Sequence, residues 1–561
     1  MEYLCFVELY ENLAATSKRL EKTALISYFL RDLYKEGKSE WIYLLRGKVV
    51  PDYDSRELGI STQLIIKTLN SAFGIPYHQV VTDFNSKGDL GLLAEHYAEQ
   101  RTQRTLFSKT LQVKNVFDNL YQLLNIVGKG TVDKKIALVS ELLTSASGKE
   151  AKYIVRTVLS DLRVGVADAV LIDALAQAFF ESDEDAKLLL EEKYHLANDF
   201  ALLFDSASKG KNALKRIDLS PGRPMAVMLA VKAENMEEAF RICGKPAAVE
   251  YKYDGFRMLI NKSSAGISLF TRRLENVTLQ FPDVVEAVEK HVRTKEFILD
   301  AEIVGYDSRT KAYLPFEAIS QRIKRKYDIA QLIEKLPVEI NVFDILYLDG
   351  KNLLSVPFSE RREILEKLIL SQSFLIRPAI QRIVSTIEEA EEFYQEALKK
   401  GEEGIMMKKL DAPYRQGRKV GYLVKLKPII QDLDLVIVGA EYGTGKRGGW
   451  LTSYIVACKA GNSFLEIGKV SSGLKEKEEE GTTYDEITKL LKPLILSTSG
   501  NEVRVSPKTI VSVTYQNIQP SPSYSSGYAL RFPRITHYRP DKKIEEIATL
   551  EEIKKEVKKQ R

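Results

Sequence analysis

The sequence predicts a multi-domain fold: an all-α N-terminal region, an α+β middle, and a small β barrel followed by a terminal helix. Three observations carry this. Apolar residues recur every three to four positions through roughly the first 210 residues, the period of a helix face. Ser220-Pro-Gly-Arg-Pro224 then interrupts the chain with a segment that cannot continue a helix. Beyond it, short runs rich in β-branched and aromatic residues dominate.

Each element follows from its own pattern. Val113, Val116, Phe117, Leu120, Leu123, Leu124 and Val127 line one face of a helix that stops at Gly128. A second helix carries Ile136, Val139, Leu142 and Leu143. A third opens on Ser147 and Glu150, the spacing at which two side chains satisfy free backbone N–H groups. Its apolar face is Ile154, Val155, Val158 and Leu159. After a break at Leu162-Arg-Val-Gly165, a further helix covers residues 168–180. Strands are expected at 267–271, 297–306, 340–348, 435–440, 454–458, 464–470 and 510–515, with helices near 284–292 and 387–399. That mixture points to large antiparallel sheets. A second boundary is expected after Lys427-Pro428, so the expected domains are residues 1–218, 219–428 and 429–561. Ile544, Ile547, Leu550, Ile553 and Val557 put one apolar stripe on a terminal helix. No internal repeat and no low-complexity segment is expected from the sequence.

A length of 561 residues suits about three or four domains. With 44% apolar and 28% charged residues, each can bury a core. The excess of 82 basic over 77 acidic side chains, a net charge of +5, is too small to argue for nucleic acid without knowing its distribution. Cys5, Cys243 and Cys458 are odd in number and far apart, which argues against a disulfide framework and rules out a four-cysteine zinc site. The first ten residues carry Glu2 and Glu8 and predict no secretory leader. No apolar stretch approaches the roughly 20 residues that span a bilayer. These features predict an intracellular, cytoplasmic protein without a membrane partner.

The chemistry begins at Glu250-Tyr-Lys-Tyr-Asp-Gly-Phe-Arg257. By itself this reads as a strand ending in an Asp-Gly turn. Further elements follow in order: Thr271-Arg-Arg-Leu-Glu-Asn276, Leu299-Asp-Ala-Glu-Ile303, Val342-Phe-Asp-Ile-Leu-Tyr347, Glu403-Gly-Ile-Met-Met-Lys408 and Lys425-Leu-Lys427. Ala529-Leu-Arg-Phe-Pro-Arg534 and Asp541-Lys542 close the series. Strand alternation puts Leu299, Ala301 and Ile303 on one face, and Asp300 with Glu302 on the other, where they are expected to meet a cleft. Lys425 and Lys427 share a face in the same way.

As an ordered set these motifs resemble the covalent nucleotidyltransferases, and most closely the archaeal type of ATP-dependent DNA ligase. The similarity extends to Asp54-Ser-Arg-Glu-Leu-Gly59, Gly88-Asp-Leu-Gly91, Leu162-Arg-Val-Gly165, Pro224-Met-Ala-Val-Met-Leu-Ala230, Gly443-Thr-Gly-Lys446 and Ser521-Pro-Ser-Tyr-Ser-Ser-Gly-Tyr-Ala-Leu530. The resemblance implies that nicks in duplex DNA are sealed in replication, repair and recombination. By the same resemblance, Lys252 would take AMP from ATP, AMP would pass to the 5′-phosphate, and the 3′-hydroxyl would displace it. It implies magnesium as the metal, with manganese as a substitute, held by Glu302 and Glu403. Glu250 would read the adenine amino group and Phe343 would stack on the base. Glu302 would contact the ribose or the metal, Arg272 would reach the ribose or the phosphates, and Arg257, Lys425 and Lys427 the phosphates. One of Arg418 and Lys419 would join them; the family commonly has Arg where Lys419 stands. Arg531 and Arg534, on an oligonucleotide-fold (OB-fold) barrel, would contact the β- and γ-phosphates, with Lys542 assisting. Ser512 and Asn517 stand where the family often has Glu.

The resemblance also makes the helical region a DNA-binding domain, with Arg163 and Gly165 at the duplex and Lys152 and Arg156 as further candidates. Gln103-Arg-Thr-Leu-Phe107 resembles a sliding-clamp peptide in which Gln103, Leu106 and Phe107 make the contacts. The resemblance further suggests a monomer associated with the nucleoid of an archaeal-type cell. Capping guanylyltransferases and RNA ligases share the Lys-x-Asp-Gly core but normally lack this helical region. A NAD-dependent ligase would need a zinc site that three cysteines cannot supply. A DNA- or clamp-binding scaffold would leave every matched catalytic residue idle.

Overall fold

The helical spacing of the N-terminal region becomes helices. In a computed structural model they are α1 (Tyr3–Ala15), α2 (Arg19–Lys35), α3 (Thr62–Phe73), α4 (Tyr77–Lys87), α5 (Leu90–Glu99), α6 (Val113–Asn125), α7 (Val132–Ser145), α8 (Gly148–Val158), α9 (Asp168–Phe180), α10 (Glu184–Ala197), α11 (Phe200–Ser208) and α12 (Lys211–Lys215). A 3-10 turn, Ser39–Arg46, lies between α2 and α3. The expected apolar faces of α6, α7 and α8 are largely buried, with Ile136 and Leu159 half-buried and Val127 outside the described residues, and the Ser147/Glu150 capping box is formed. The structure describes all residues except 55, 102–109, 127, 129, 315, 325–328, 418, 429–431, 444–448, 477–481 and 560–561. They form two compact units, Met1–Leu426 and Lys427–Arg561.

Contrary to the expectation of no repeat, the helical region is built from two equivalent halves. α1 and α6 are both 13 residues long. Their leading residues, Glu2 and Gln112, form an antiparallel bridge. Tyr3 N donates to Leu111 O (2.8 Å), and Val113 N donates to Met1 O (3.1 Å). This is a self-complementary exchange about a local twofold axis. The α2 segment Lys22-Thr-Ala-Leu-Ile-Ser27 matches α7's Lys135-Ile-Ala-Leu-Val-Ser140 at Lys, Ala, Leu and Ser. Ile66, Leu69, Ala72 and Phe73 of α3 recur as Ile172, Leu175, Ala178 and Phe179 of α9. Asp89 caps α5 through Gly91 N and Leu92 N, as Asp199 caps α11 through Ala201 N and Leu202 N. Packing follows the same symmetry: α2 lies on α9 and α7 on α3, while α5 lies on α8 and α11 on the 3-10 turn. The halves are thus intertwined around one core. Few side chains match, and the loop before α7 differs in length from that before α2. The duplication is therefore hidden from periodicity.

The rest of the first unit holds two sheets. One has strand order β1-β11-β10-β2-β9, from β1 (Leu229–Lys232), β2 (Ala247–Tyr251), β9 (Gln381–Val384), β10 (Ile405–Lys409) and β11 (Lys419–Leu426). The other has order β4-β3-β5-β6-β7, from β3 (Phe256–Ser263), β4 (Gly266–Thr271), β5 (Phe297–Gly305), β6 (Val338–Leu348) and β7 (Lys351–Asn352), with β8 (Ile376–Pro378) also on β6. Only β1/β11 and β6/β8 pair in parallel; the other pairs within these two sheets are antiparallel, as expected. Helices α13 (Met236–Cys243), α14 (Pro282–His291), α15 (Phe316–Lys324), α16 (Ile329–Lys335), α17 (Phe358–Leu368) and α18 (Ile387–Lys399) belong to this part. Leu299, Ala301 and Ile303 pack in one core while Leu259, Ile298 and Leu346 pack in another, so β5 is covered on both faces.

The second unit is β-rich. Its main sheet joins β12 (Leu433–Tyr442), β13 (Leu451–Ala460), β14 (Ser463–Val470), β15 (Ile495–Ser499), β16 (Glu502–Val505), β17 (Ile510–Thr514) and β20 (Arg534–Tyr538). β18 (Ile518–Pro520) pairs with β19 (Tyr528–Leu530), and α19 (Tyr484–Leu491) and α20 (Leu550–Lys559) complete it. The terminal apolar stripe does not form one helix. A 3-10 turn at Ile544–Glu546 ends in extended backbone at Ile547, and α20 starts afresh. The sheet explains the break: Ala548 N donates to Asp434 O (2.8 Å) and its carbonyl accepts from Lys459 N (2.9 Å).

Candidate active site

Lys252 stands where the chain leaves one sheet for the other. β2 ends at Tyr251 and β3 begins at Phe256, yet the two strands belong to different sheets. The Lys-Tyr-Asp-Gly segment is therefore a crossover rather than a hairpin turn. It is fixed by backbone bonds to the end of the 401–404 loop: Lys252 N donates to Gly404 O and Glu403 N to Lys252 O, both 2.9 Å. Those bonds set Lys252 against Glu403, and the two side chains form a mostly buried ion pair. Gly255 lets the crossover press onto β5. A Cβ there would lie 2.3 Å from Ile303 O and 3.0 Å from Glu302 Cγ.

β5 supplies both acidic residues of the third motif, in different settings. Asp300 is fully buried, and Arg257 opposes it from β3 with Nε–Oδ1 at 2.9 Å and Nη2–Oδ2 at 2.6 Å. The Tyr414 hydroxyl donates to Asp300 Oδ2 (2.7 Å) and accepts from Met228 N (2.9 Å). Arg257 Nη1 also donates to Met228 O (2.7 Å). Asp300 thus faces an internal ion pair rather than a cleft. Glu302 is half-buried. Burial pushes its carboxyl up to about 8, Lys252 and Arg257 oppose that rise, and Asp300 and Glu403 add to it. The structure brings Lys252, Glu302, Glu403 and Arg257 into one electrostatic cluster.

The expected base-binding residues lie beside it. Phe343 on β6 is half-buried, with the Arg257 guanidinium 5.2 Å and the Lys408 ammonium 4.8 Å from its ring centre. Glu250 on β2 is buried; Lys408 Nζ lies 2.6 Å from one carboxylate oxygen, and Gln381 Nε2 donates to the other at 2.8 Å. Arg272 is exposed on the turn after β4. Lys425 is half-buried on β11, where its backbone pairs with Met406 and Lys232. Lys419 opens β11 opposite Leu229, and Arg418 lies outside the described residues. Lys427 is the first residue of the second unit, which also carries Arg531 and Arg534. Arg531 is buried, with its guanidinium 5.2 Å from the Phe532 ring centre, and Arg534 is exposed. Lys542 pairs with Asp434 at 2.9 Å.

In the helical region, Arg163 has φ +58° and its Nη1 reaches Asp89 at 2.8 Å; Gly165 has φ +65°. Lys152 and Arg156 are engaged internally, by Glu11 (2.7 Å) and Asp89 (2.8 Å). Gln103, Leu106 and Phe107 lie outside the described residues.

Tyr414, Met228, Lys408 and Gln381 escaped the sequence reading as site residues. Lys408 stood inside a quoted motif and Met228 inside a quoted segment. Tyr414 and Gln381 carry no local signal, because only the fold brings them to Asp300 and Glu250.

The donor set suits a divalent cation. Glu302 and Glu403 are two carboxylates beside one another's field, and magnesium is typically held by one or two carboxylates together with substrate phosphates. A carboxyl pushed up to about 8 is a site that binding of positive charge relieves. Among the described residues no group of three His, Cys, Asp or Glu side chains could hold an ion without such help. No helix among them is long and apolar enough to cross a membrane.

A family profile described as ATP dependent DNA ligase domain matches residues 227–427. Profiles described as DNA ligase N terminus and ATP dependent DNA ligase C terminal region match residues 2–176 and 447–542. A DNA ligase of Nanoarchaeum equitans is 46% identical over 559 residues, covering 99% of this chain and 98% of that protein. A DNA ligase of Thermococcus fumicolans is 39% identical over 556 residues, covering 99% and 98%. The solved structure named Pmar-Lig_PreS3 matches 95% of this chain and 99% of its own with a TM-score of 0.55 at 16% identity, a likeness of fold. With three consecutive segments matched and relatives aligned almost end to end, the chain belongs to the ATP-dependent DNA ligases, in their three-domain architecture.

Proposed function

We propose that this ligase seals 5′-phosphate/3′-hydroxyl nicks in duplex DNA with Lys252 as its nucleophile. The observation that carries the assignment is the crossover lysine, paired with Glu403 and neighboured by Glu302 and Arg257. Lys252 Nζ attacks the α-phosphorus of ATP; an N–P bond forms and pyrophosphate leaves. A 5′-phosphate oxygen at the nick then attacks the same phosphorus, and the N–P bond breaks. The 3′-hydroxyl next attacks the 5′-phosphate and AMP departs.

An amine attacks only when unprotonated, so Lys252 must lose a proton and leave its ion pair with Glu403. Glu302 and Glu403 would hold magnesium, with manganese as a substitute. Bound there, the cation would supply positive charge that favours the neutral amine and offsets charge on the phosphates. Arg257, held rigid by Asp300, adds a fixed positive charge, as does Lys425. Glu250 and Phe343 seat the adenine, and Arg272 the ribose. One of Arg418 and Lys419 joins Lys425 and Lys427 at the phosphates. The second unit serves as the oligonucleotide-fold domain and brings Arg531 and Arg534 to the β- and γ-phosphates; its branched antiparallel sheet supports that reading. Residues 1–218 and 219–428 serve as the DNA-binding and nucleotidyltransferase domains, with Arg163 and Gly165 at the duplex backbone. Gln103, Leu106 and Phe107 dock a sliding clamp. The protein works as a cytoplasmic, nucleoid-associated monomer.

The test is joining of nicked duplex DNA with magnesium and ATP, GTP or NAD supplied separately. Joining with ATP alone is expected, and Lys252→Ala is expected to lose both joining and transfer of label from ATP to protein. Sealing by Lys252→Ala at the wild-type rate would remove the nucleophile assignment.

A further inference from the structure

The two halves of the helical region share a device that no motif reveals. Lys22, the fourth residue of α2, donates from Nζ to Val164 O (2.6 Å) and Gly165 O (3.3 Å) in the other half. Lys135, the fourth residue of α7, donates from Nζ to Leu58 O (2.8 Å) and Gly59 O (3.3 Å). Both glycines are left-handed, at φ +65° and +62°. A Cβ on Gly165 would lie 2.7 Å from Lys22 Nζ, and one on Gly59 would lie 2.5 Å from Lys135 Nζ. Each turn leads through one apolar residue, Val166 or Ile60, to the cap of the next helix, α9 or α3.

We propose that Lys22 and Lys135 are a matched pair of positioning residues, each reaching from one half to hold the glycine turn of the other, so that both turns meet duplex DNA at one fixed separation. The proposal rests on the reading of Arg163 and Gly165 as a duplex contact and extends it to the equivalent turn at Gly59.

Three observations support it. Neither ammonium has a carboxylate partner among the described residues, so each spends its charge on carbonyls of a turn. Lys135 is only 9% exposed, and burial lowers its pKa. Burying a charge without a counterion is expensive, and a Met of similar length would fill the space without that penalty. The side chains of the turns have diverged (Glu57-Leu58-Gly59 against Arg163-Val164-Gly165), yet the lysine, the glycine and their bonds recur in both. A duplex backbone has local twofold axes of its own, so two turns related by a twofold can meet its two strands equivalently. That match holds only while both turns keep their places.

The test uses the full-length protein with Lys22→Met, Lys135→Met and the two corresponding Arg variants. Affinity for nicked duplex is measured across a salt series, with label transfer from ATP in the absence of DNA as a second readout. Each Met variant is expected to weaken DNA binding about ten-fold, the worth of a lost charged hydrogen bond. The slope of log affinity on log salt stays as in wild type, and Lys22→Arg restores part of the loss. Label transfer, which needs no DNA, keeps the wild-type rate. Unchanged affinity in both Met variants overturns the proposal. So does a slope reduced by about one per substitution, because the lysine would then touch a phosphate itself. If Lys135→Met unfolds on heating far below wild type, the half-buried Lys22 alone decides between these outcomes. A wild-type protein that seals no nick with any nucleotide would instead remove the ligase reading on which the proposal stands.

Discussion

Single side chains decide the chemistry here through what holds them. Asp300 is buried with Arg257 on both oxygens and the Tyr414 hydroxyl on one of them. Tyr414→Phe removes a donor from a buried carboxylate and an acceptor from Met228 N. Loss of one such group from a buried network costs about 1–3 kcal/mol. We expect a lower unfolding midpoint in denaturant and slower joining, with Arg257 less firmly held. Gly255→Ala is expected to do more harm to activity. Its Cβ would meet Ile303 O at 2.3 Å, a backbone atom that cannot swing aside, so the crossover must lift and carry Lys252 with it. Label transfer from ATP should fall at least ten-fold, while circular dichroism stays unchanged. The motif that carries Lys252 could be read from the sequence because each residue of it is adjacent to the next. The partners of Asp300 and Glu250 could not, because Tyr414 and Gln381 are more than a hundred positions away.

At the scale of elements, α1 and α8 are joined through Glu11. Burial works to raise its carboxyl, but bonds from Lys152 Nζ and the Tyr153 hydroxyl, both 2.7 Å, outweigh it and hold the group at about 2. A carboxyl lowered in the folded state stabilises fully above its unfolded value near 4.5, and loses that contribution as pH falls towards 2. The contribution at neutral pH is about 2 kcal/mol after allowance for partial exposure. Glu11→Gln should therefore lower stability at pH 7 and flatten its fall between about pH 4.5 and 2; urea titrations at several pH values measure this. Some element boundaries followed sequence patterns closely, while α6 ends at Asn125, short of the expected Gly128. α9 and α18 begin and end as spacing predicts, and the capping box at Ser147 forms. The pattern misled at Ile547, where β12 and β13 recruit the backbone of a stripe that spacing alone would make helical.

Across the whole molecule, residues assigned to one reaction are divided between two units. Lys252, Glu302 and Glu403 belong to the first, and Arg531 and Arg534 to the second. If the arginines act on the β- and γ-phosphates, they matter only while pyrophosphate is leaving. Arg531→Ala and Arg534→Ala are then expected to slow label transfer from ATP at least ten-fold, yet to seal nicks already carrying AMP at near the wild-type rate. Equal slowing of both steps would place the arginines elsewhere in the cycle. The helical N-terminal region, the β-rich remainder and the family were legible in the sequence alone, because local periodicity and short motifs depend on neighbours along the chain. The twofold construction of the helical region, the crossover of Lys252 between two sheets and the burial of Asp300 were decided by tertiary structure. Each depends on contacts between segments far apart in the chain: the bridge of Glu2 to Gln112, the paired backbones of Lys252 and Glu403, and the reach of Tyr414 to Asp300.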